Sequence, residues 1–215
     1  MSEGAEPEDQ HGWTEPEEML GGFRATARGV TARFAKPQAT ILRDLVEQVV
    51  ELVGTDGPDA AAGRAPATAA RDVEAEELDA MVGMSEPADP DAAEQPDDPV
   101  LARLLPDGYR DDPDAAREFR AFTESGLRSA KMAAAATVLG TLPPGGGRVK
   151  LSTEQAEAWL RSLNDVRLAL GVRLGVTDDF DGLNEELSSD DPRSAYVWIY
   201  QWLAYLQESL VLALS

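Results

Sequence analysis

Negative charge in this 215-residue chain is concentrated rather than spread, and that concentration decides which parts can fold. Asp and Glu number 40 against 19 Lys and Arg, a net charge of −21, and eighteen of those 21 excess charges lie in two segments. Residues 1–18 hold seven acids (Glu3, Glu6, Glu8, Asp9, Glu15, Glu17, Glu18) and no base. Residues 54–98 hold thirteen acids and two bases, Arg64 and Arg71. The second segment is rich in Ala, Pro, Gly and Asp and poor in large apolar side chains, so burial cannot offset the entropy of ordering it. The organisation expected is an acidic disordered tail over 1–18 and an acidic flexible linker over 54–98. Residues 19–53 (net +2) and 99–215 (net −5) should then pack as one domain. Inside the linker, Val73, Glu77 and Met81 recur at helical spacing over 71–82. The linker reads either as a docking tail for a basic partner or as a solubilising insertion.

Within the folded parts, local patterns give the elements. Phe23, Ala25 and Ala27 alternate with Arg24, Thr26 and Arg28, and Val30, Ala32 and Phe34 follow Gly29 at period two. This spacing predicts a β-hairpin with its turn at Gly29, which must pack on helices because a lone hairpin is marginal. Pro37 opens a first helix with Leu42, Leu45, Val46, Val49 and Val53 on one face, stopped by Gly54. Asp-Asp-Pro occurs at 97–99, 111–113 and 190–192. Each marks a helix start: the second Asp caps, Pro takes the first helical position, and the acids suit the positive end of the dipole. The first opens a short helix over 100–105 and the second a long one over 113–139. The long helix is expected to bury Phe119, Phe122, Leu127, Ala130, Ala134 and Val138, and its small run 133–136 would let another helix approach closely. PPGGG at 143–147 is a loop and 149–151 a short strand. Ser152 with Gln155 makes a capping box for a helix that buries Trp159, Leu163, Val166, Leu170 and Leu174 and ends at Gly175. The last helix, over 195–214, has sixteen apolar residues in twenty and is expected at the centre of the core, with Trp198 and Trp202 shielded. Glu208, two glutamines, three tyrosines and the lack of basic flanks argue against a membrane anchor; a homodimer interface is compatible with this helix. The fold class is mainly α: a bundle of four or five helices with a small N-terminal β-hairpin.

Catalytic chemistry finds few tools here. With no Cys there is no disulfide, thiolate zinc site or cysteine nucleophile. That absence, with no secretory signal in MSEGAEPEDQ, gives a cytoplasmic expectation. His11, the one His, sits in the acidic tail, so neither a Ser-His-Asp set nor a His-bearing metal site can form in the core. TDDFDGLNEEL at 177–187 puts Asp179, Asp181 and Gly182 where a calcium loop wants them, but Thr177 and Ser188 occupy its first and last positions, which need acids. PPGGG lacks the Gly-Lys-Ser/Thr and the preceding strand of a phosphate-binding loop. No enzyme activity, cofactor or metal is expected. Nucleic acid is disfavoured as well, since a phosphate backbone needs a basic face. The basic cluster in view is Arg24, Arg28, Arg33 and Lys36, with Arg24 and Arg28 sharing the hairpin's outward face and Arg33 on the paired strand. It is the candidate docking surface for an acidic protein partner. Solvation of the hairpin edge, or contact with the chain's own acidic linker, would account for the same residues.

Four blocks occur in order: FAKPQATILRDLVEQVVELVG, LARLLPDGYRDDPDAAREFRAFTESGLRSAKM, LSTEQAEAWLRSLNDVRLALGVRLGV and YVWIYQWLAYLQESLVLAL. Together they resemble the actinobacterial family called domain of unknown function 2017. With the hairpin, the resemblance covers nearly everything outside 1–18 and 54–98. No block is a chemical motif; the specificity lies in all four together. Members are typically encoded beside ClpS, the adaptor that hands N-degron substrates to the Clp protease, and often near a JAMM-type peptidase, a sulfur carrier protein and a cysteine synthase. Some are labelled transcriptional regulators. The family has no established activity, so the resemblance carries no site onto this chain. It implies a non-enzymatic binding or adaptor protein linked to Clp-dependent proteolysis, partnered by the Clp adaptor or protease machinery, with a DNA-binding regulator as the alternative.

Overall fold

The structure, a computed structural model, describes residues 21–55, 96–109, 111–176, 191 and 193–215. The tail 1–18 with His11, the linker apart from its two ends, its stretch 71–82, and the 177–187 connection lie outside the described residues. In chain order the described residues form β1 (Arg24–Thr26), β2 (Gly29–Phe34), α1 (Lys36–Thr55), α2 (Pro99–Leu104), α3 (Pro113–Thr141), β3 (Gly147–Leu151), α4 (Thr153–Leu174) and α5 (Arg193–Leu214). The architecture is mainly helical, with one small antiparallel sheet in the order β1-β2-β3.

The hairpin turns one step earlier than its alternation predicts. Thr26 pairs with Gly29, so Ala27 and Arg28 are the turn and Gly29 already belongs to β2. Gly29 has a φ of +129°, and a Cβ on it would lie 2.1 Å from the carbonyl oxygen of Leu151, so the third strand requires glycine there. Of the alternating residues around β1, Phe23 just before it is buried, while Ala25 on it and Ala27 in the turn stay exposed. β3 pairs with β2, Val30 opposite Leu151 and Ala32 opposite Val149. Val30, Ala32, Phe34, Val149 and Leu151 form the buried side of the sheet. Phe23, Phe34 and Trp159 meet there with ring centroids 5.9, 5.5 and 5.8 Å apart.

The helix starts follow the sequence. Asp98 accepts from the backbone N–H groups of Val100 and Leu101 at 2.7 and 3.1 Å, and Asp112 from those of Asp114 and Ala115 at 3.2 and 3.0 Å. Asp191 accepts from the N–H of Arg193 at 2.8 Å. Ser152 and Gln155 exchange both bonds of a capping box, and Gly175, at φ +67°, ends α4. Gly54 is no stop: α1 runs through it to Thr55.

α4 is the central element, packed against α1, α2, α3, α5 and the inner side of the sheet. Its Trp159 and Leu163 are wholly buried. The expectation that the most apolar helix would be central is therefore corrected. α5 buries Val197, Trp202, Leu203, Leu206 and Leu210 on α4 and the sheet but leaves Tyr196, Trp198, Val211 and Leu212 at the surface. Trp198 is 49% exposed; it stacks on the buried Trp202 with centroids 6.1 Å apart. Among the described residues, no helix is long and apolar enough to cross a membrane.

α3 departs furthest from its pattern. Ala134 and Val138 are buried as expected, but Phe119, Phe122, Leu127 and Ala130 are exposed, while Arg120 and Arg128 are buried. Arg128 donates to the carbonyl of Val53 in the last turn of α1, and Arg120 to the carbonyl of Leu105, which caps α2. Both pair with Glu124, and Arg120 also with Asp107. Helix-end carbonyls lack intrahelical partners, and a buried guanidinium that satisfies them and a carboxylate meets its own hydrogen-bonding demand. That exchange rotates the helix so that its arginines face inward.

Candidate docking face

The outer side of the sheet follows from strand alternation. Successive residues of a strand point to opposite faces, so burying Val30, Ala32 and Phe34 turns Thr31 and Arg33 outward. Burying Val149 and Leu151 likewise turns Arg148 and Lys150 outward. Register then aligns the cations. Arg33 lies directly opposite Arg148, and Thr31 sits between Arg24 on one side and Lys150 on the other. Arg24, Arg33, Arg148 and Lys150 are all exposed. Like charges directly opposite across an antiparallel pair destabilise a sheet. The Arg33–Arg148 pair is thus a local cost that no contact inside the described residues offsets.

Beside this face lies an open groove of about 510 Å³ lined by Thr26, Arg28, Thr31, Arg148, Lys150 and Ser152, among others. Its threonine hydroxyls donate within the fold and its serine accepts. Thr26 donates to the carbonyl of Gly29 at 3.0 Å, Thr31 to that of Val149 at 2.8 Å, and Ser152 caps α4. The cations supply its charged donors. Among the described residues, Arg28, Arg33, Lys36, Arg148 and Lys150 form no ion pair. The start of α4 at the groove's rim adds the positive end of a helix dipole.

Three of the four residues named from sequence are therefore placed with this face or its groove. Arg24 lies on β1 and also borders a second depression of about 400 Å³ with Tyr205, Glu208 and Ser209. Arg28 sits in the turn and reaches the groove rather than sharing the strand face with Arg24, a correction that follows from the earlier turn. Arg33 is central, opposite Arg148. Lys36 is exposed on the first residue of α1, just past the end of β2. Sequence reasoning missed Arg148 and Lys150, although their alternation with Val149 and Leu151 carries the period-two signal. Among the described residues, no group of three or more His, Cys, Asp or Glu side chains could hold a metal ion.

Relatives carry a regulatory name. The oxidative stress regulator AosR of Mycobacterium tuberculosis and that of Mycobacterium bovis are each 42% identical to this chain over 135 residues. The match covers 57% of this chain and 61% of each relative, so the chain spans about three fifths of the length of the curated relatives it matches. No solved structure matches. The match to the family described as a domain of unknown function (DUF2017) extends over residues 20–214, and the chain belongs to that family.

Proposed function

We propose that this chain is a non-enzymatic regulatory binding protein that docks an acidic partner on the outer face of its three-stranded sheet. The observation that carries the reading is the opposed pair Arg33–Arg148. It sits in a chain of net charge −21, where an acid at either position would relieve the repulsion. A feature that costs local stability and is left at the surface is the kind a binding site retains. The regulatory part is supported by the relatives' name. With no Cys among these 215 residues, such regulation would not use thiol oxidation here.

An acidic protein segment suits the face better than a nucleic acid. Strands of three to six residues span about 10–20 Å, the length of a short extended segment, whereas a duplex adds a charge every ~1.7 Å and runs on beyond the face. The relatives' regulatory name keeps a DNA-binding regulator as the second reading. An adaptor role in Clp-dependent proteolysis would be one form of acidic-partner docking.

Fluorescence titration of a labelled Glu-rich peptide and a labelled generic duplex decides between them. The wild type and a variant with Arg28, Arg33, Arg148 and Lys150 all changed to Glu are compared at low and high salt. Peptide binding that weakens with salt and is lost in the variant is expected. Duplex binding with a steep salt slope would move the reading to DNA. Affinity unchanged by the substitutions would remove the face from the account.

A further inference from the structure

The acidic tail 1–18 joins the described chain beside the basic face. Continued two residues back, the register that sets Arg24 opposite Thr31 brings Gly22 opposite Arg33. Gly21 is buried there: a Cβ on it would lie 3.2 Å from the carbonyl oxygen of Arg33 and 3.1 Å from the ring of Phe34. The tail therefore leads off from the strand position next to Arg33, whose partner across the sheet is Arg148. At no more than ~3.6 Å per residue, Glu18 is within ~11 Å of Gly21 along the chain, and Glu15 within ~22 Å. Strands lie ~4.8 Å apart, so Arg148 is only ~10 Å across the sheet from Gly22. Charge matches as well. Residues 1–18 hold seven acids and no Lys or Arg. Arg28, Arg33, Lys36, Arg148 and Lys150 have no ion pair among the described residues. The other acidic segment, 54–98, is worse placed, because it leaves α1 at Thr55, about 28 Å along that helix from Lys36.

We propose that residues 1–18 of the same chain occupy the outer face of the sheet, the acids nearest Gly21 (Glu15, Glu17 and Glu18) meeting Arg33 and Arg148. A carboxylate between two opposed arginines turns their repulsion into attraction, and the tail supplies it with no second molecule present. Covalent attachment holds the tail at an effective concentration of roughly millimolar. An acidic partner then binds only the fraction of chains whose face is open, so its apparent affinity falls by that fraction. This regulation of the site rests on the reading of the face as an acid-docking surface; the tail contact itself does not.

The chain has no native Cys, so a nitroxide on Gln10→Cys reports where the tail sits. In the full chain it should broaden the backbone amide NMR signals of Thr31, Arg33, Arg148 and Lys150 more than those of Phe119 and Phe122 near the far end of α3, and high salt should remove the difference. The same label in a full-length variant with the tail's six Glu changed to Gln and Asp9 to Asn should show no such preference. The labelled Glu-rich peptide should bind that variant about threefold or more tighter than it binds the wild type. No preferential broadening of the sheet signals, or broadening that survives neutralisation of the tail, would overturn the proposal. So would equal broadening when nitroxide and isotope label are on separate copies, or peptide binding of equal strength to the two chains. Preferential broadening with no peptide binding by either chain would keep the tail on the face and remove the external acidic partner instead.

Discussion

Three arginines close helix C-termini in this fold. Arg128 bonds the carbonyl of Val53 at the end of α1, Arg120 that of Leu105 at the end of α2, and Arg43 those of Leu139 and Leu142 at the end of α3, the last two at 3.2 and 2.7 Å. Glu124 holds the first two in place. Replacing Glu124 with Leu leaves Arg128 without its carboxylate and should cost about 3 kcal/mol, the usual result of removing one partner from a buried pair. Urea unfolding measures it, and a loss under 1 kcal/mol would mean that the carbonyls alone suffice. Trp202→Ala should cost about 3–5 kcal/mol, and Trp198→Ala much less, since half of that ring is already in water. At the start of α5, the Arg193 guanidinium bonds the carboxylate of Asp191, and the backbone N–H of Arg193 does so too; both hold its titration below the ordinary aspartate value of 3.8. A depressed folded-state value contributes stability that is present above pH 3.8 and fades as pH falls through the lower folded value. NMR titration should show the Asp191 midpoint below that of a free aspartate, and Arg193→Ala should return it upward; an unmoved midpoint would contradict the assignment.

Helix starts were legible because capping is local. Asp-Asp-Pro and the Ser152–Gln155 box act within three residues, so sequence alone places them, and Ser152→Ala should cost about 0.5–2 kcal/mol in a thermal or urea melt. What was not legible comes from distant partners. Arg128 is satisfied by a carbonyl 75 residues away, and Thr31 bonds β3 across 118 residues. Without those contacts, the four apolar residues of α3 outcompete its arginines in any periodicity count, and the candidate face loses Arg148 and Lys150. Its hairpin half was visible; its β3 half required the register. The same register makes a prediction: Arg148→Glu should stabilise the sheet by about 0.2–1 kcal/mol by converting a repulsive cross-strand pair into an attractive one, while weakening partner binding. A variant that loses stability instead would show that Arg33 and Arg148 are not in conflict.

For the molecule as a whole, charge sets the plan. The sequence places most of the excess negative charge in 1–18 and 54–98, and the described core sits almost entirely outside those limits, with α1 extending to Thr55 and Asp98 capping α2. Replacing 56–95 with a short Gly/Ser linker should preserve a single cooperative thermal transition, since closure entropy changes slowly with loop length; loss of that transition would assign the segment a structural role. The proposed function makes the basic sheet face the place where a chain of net charge −21 would attract acid instead of repelling it. The most direct measurement of that claim is a paired capture from a soluble extract of the source cells. Immobilised wild type and the variant with Arg28, Arg33, Arg148 and Lys150 changed to Glu are eluted with rising salt, and the bound proteins are quantified by mass spectrometry. The account predicts acidic proteins on the wild type alone, released as the screening length falls from about 10 Å toward 3 Å. The same proteins held equally by both would contradict it.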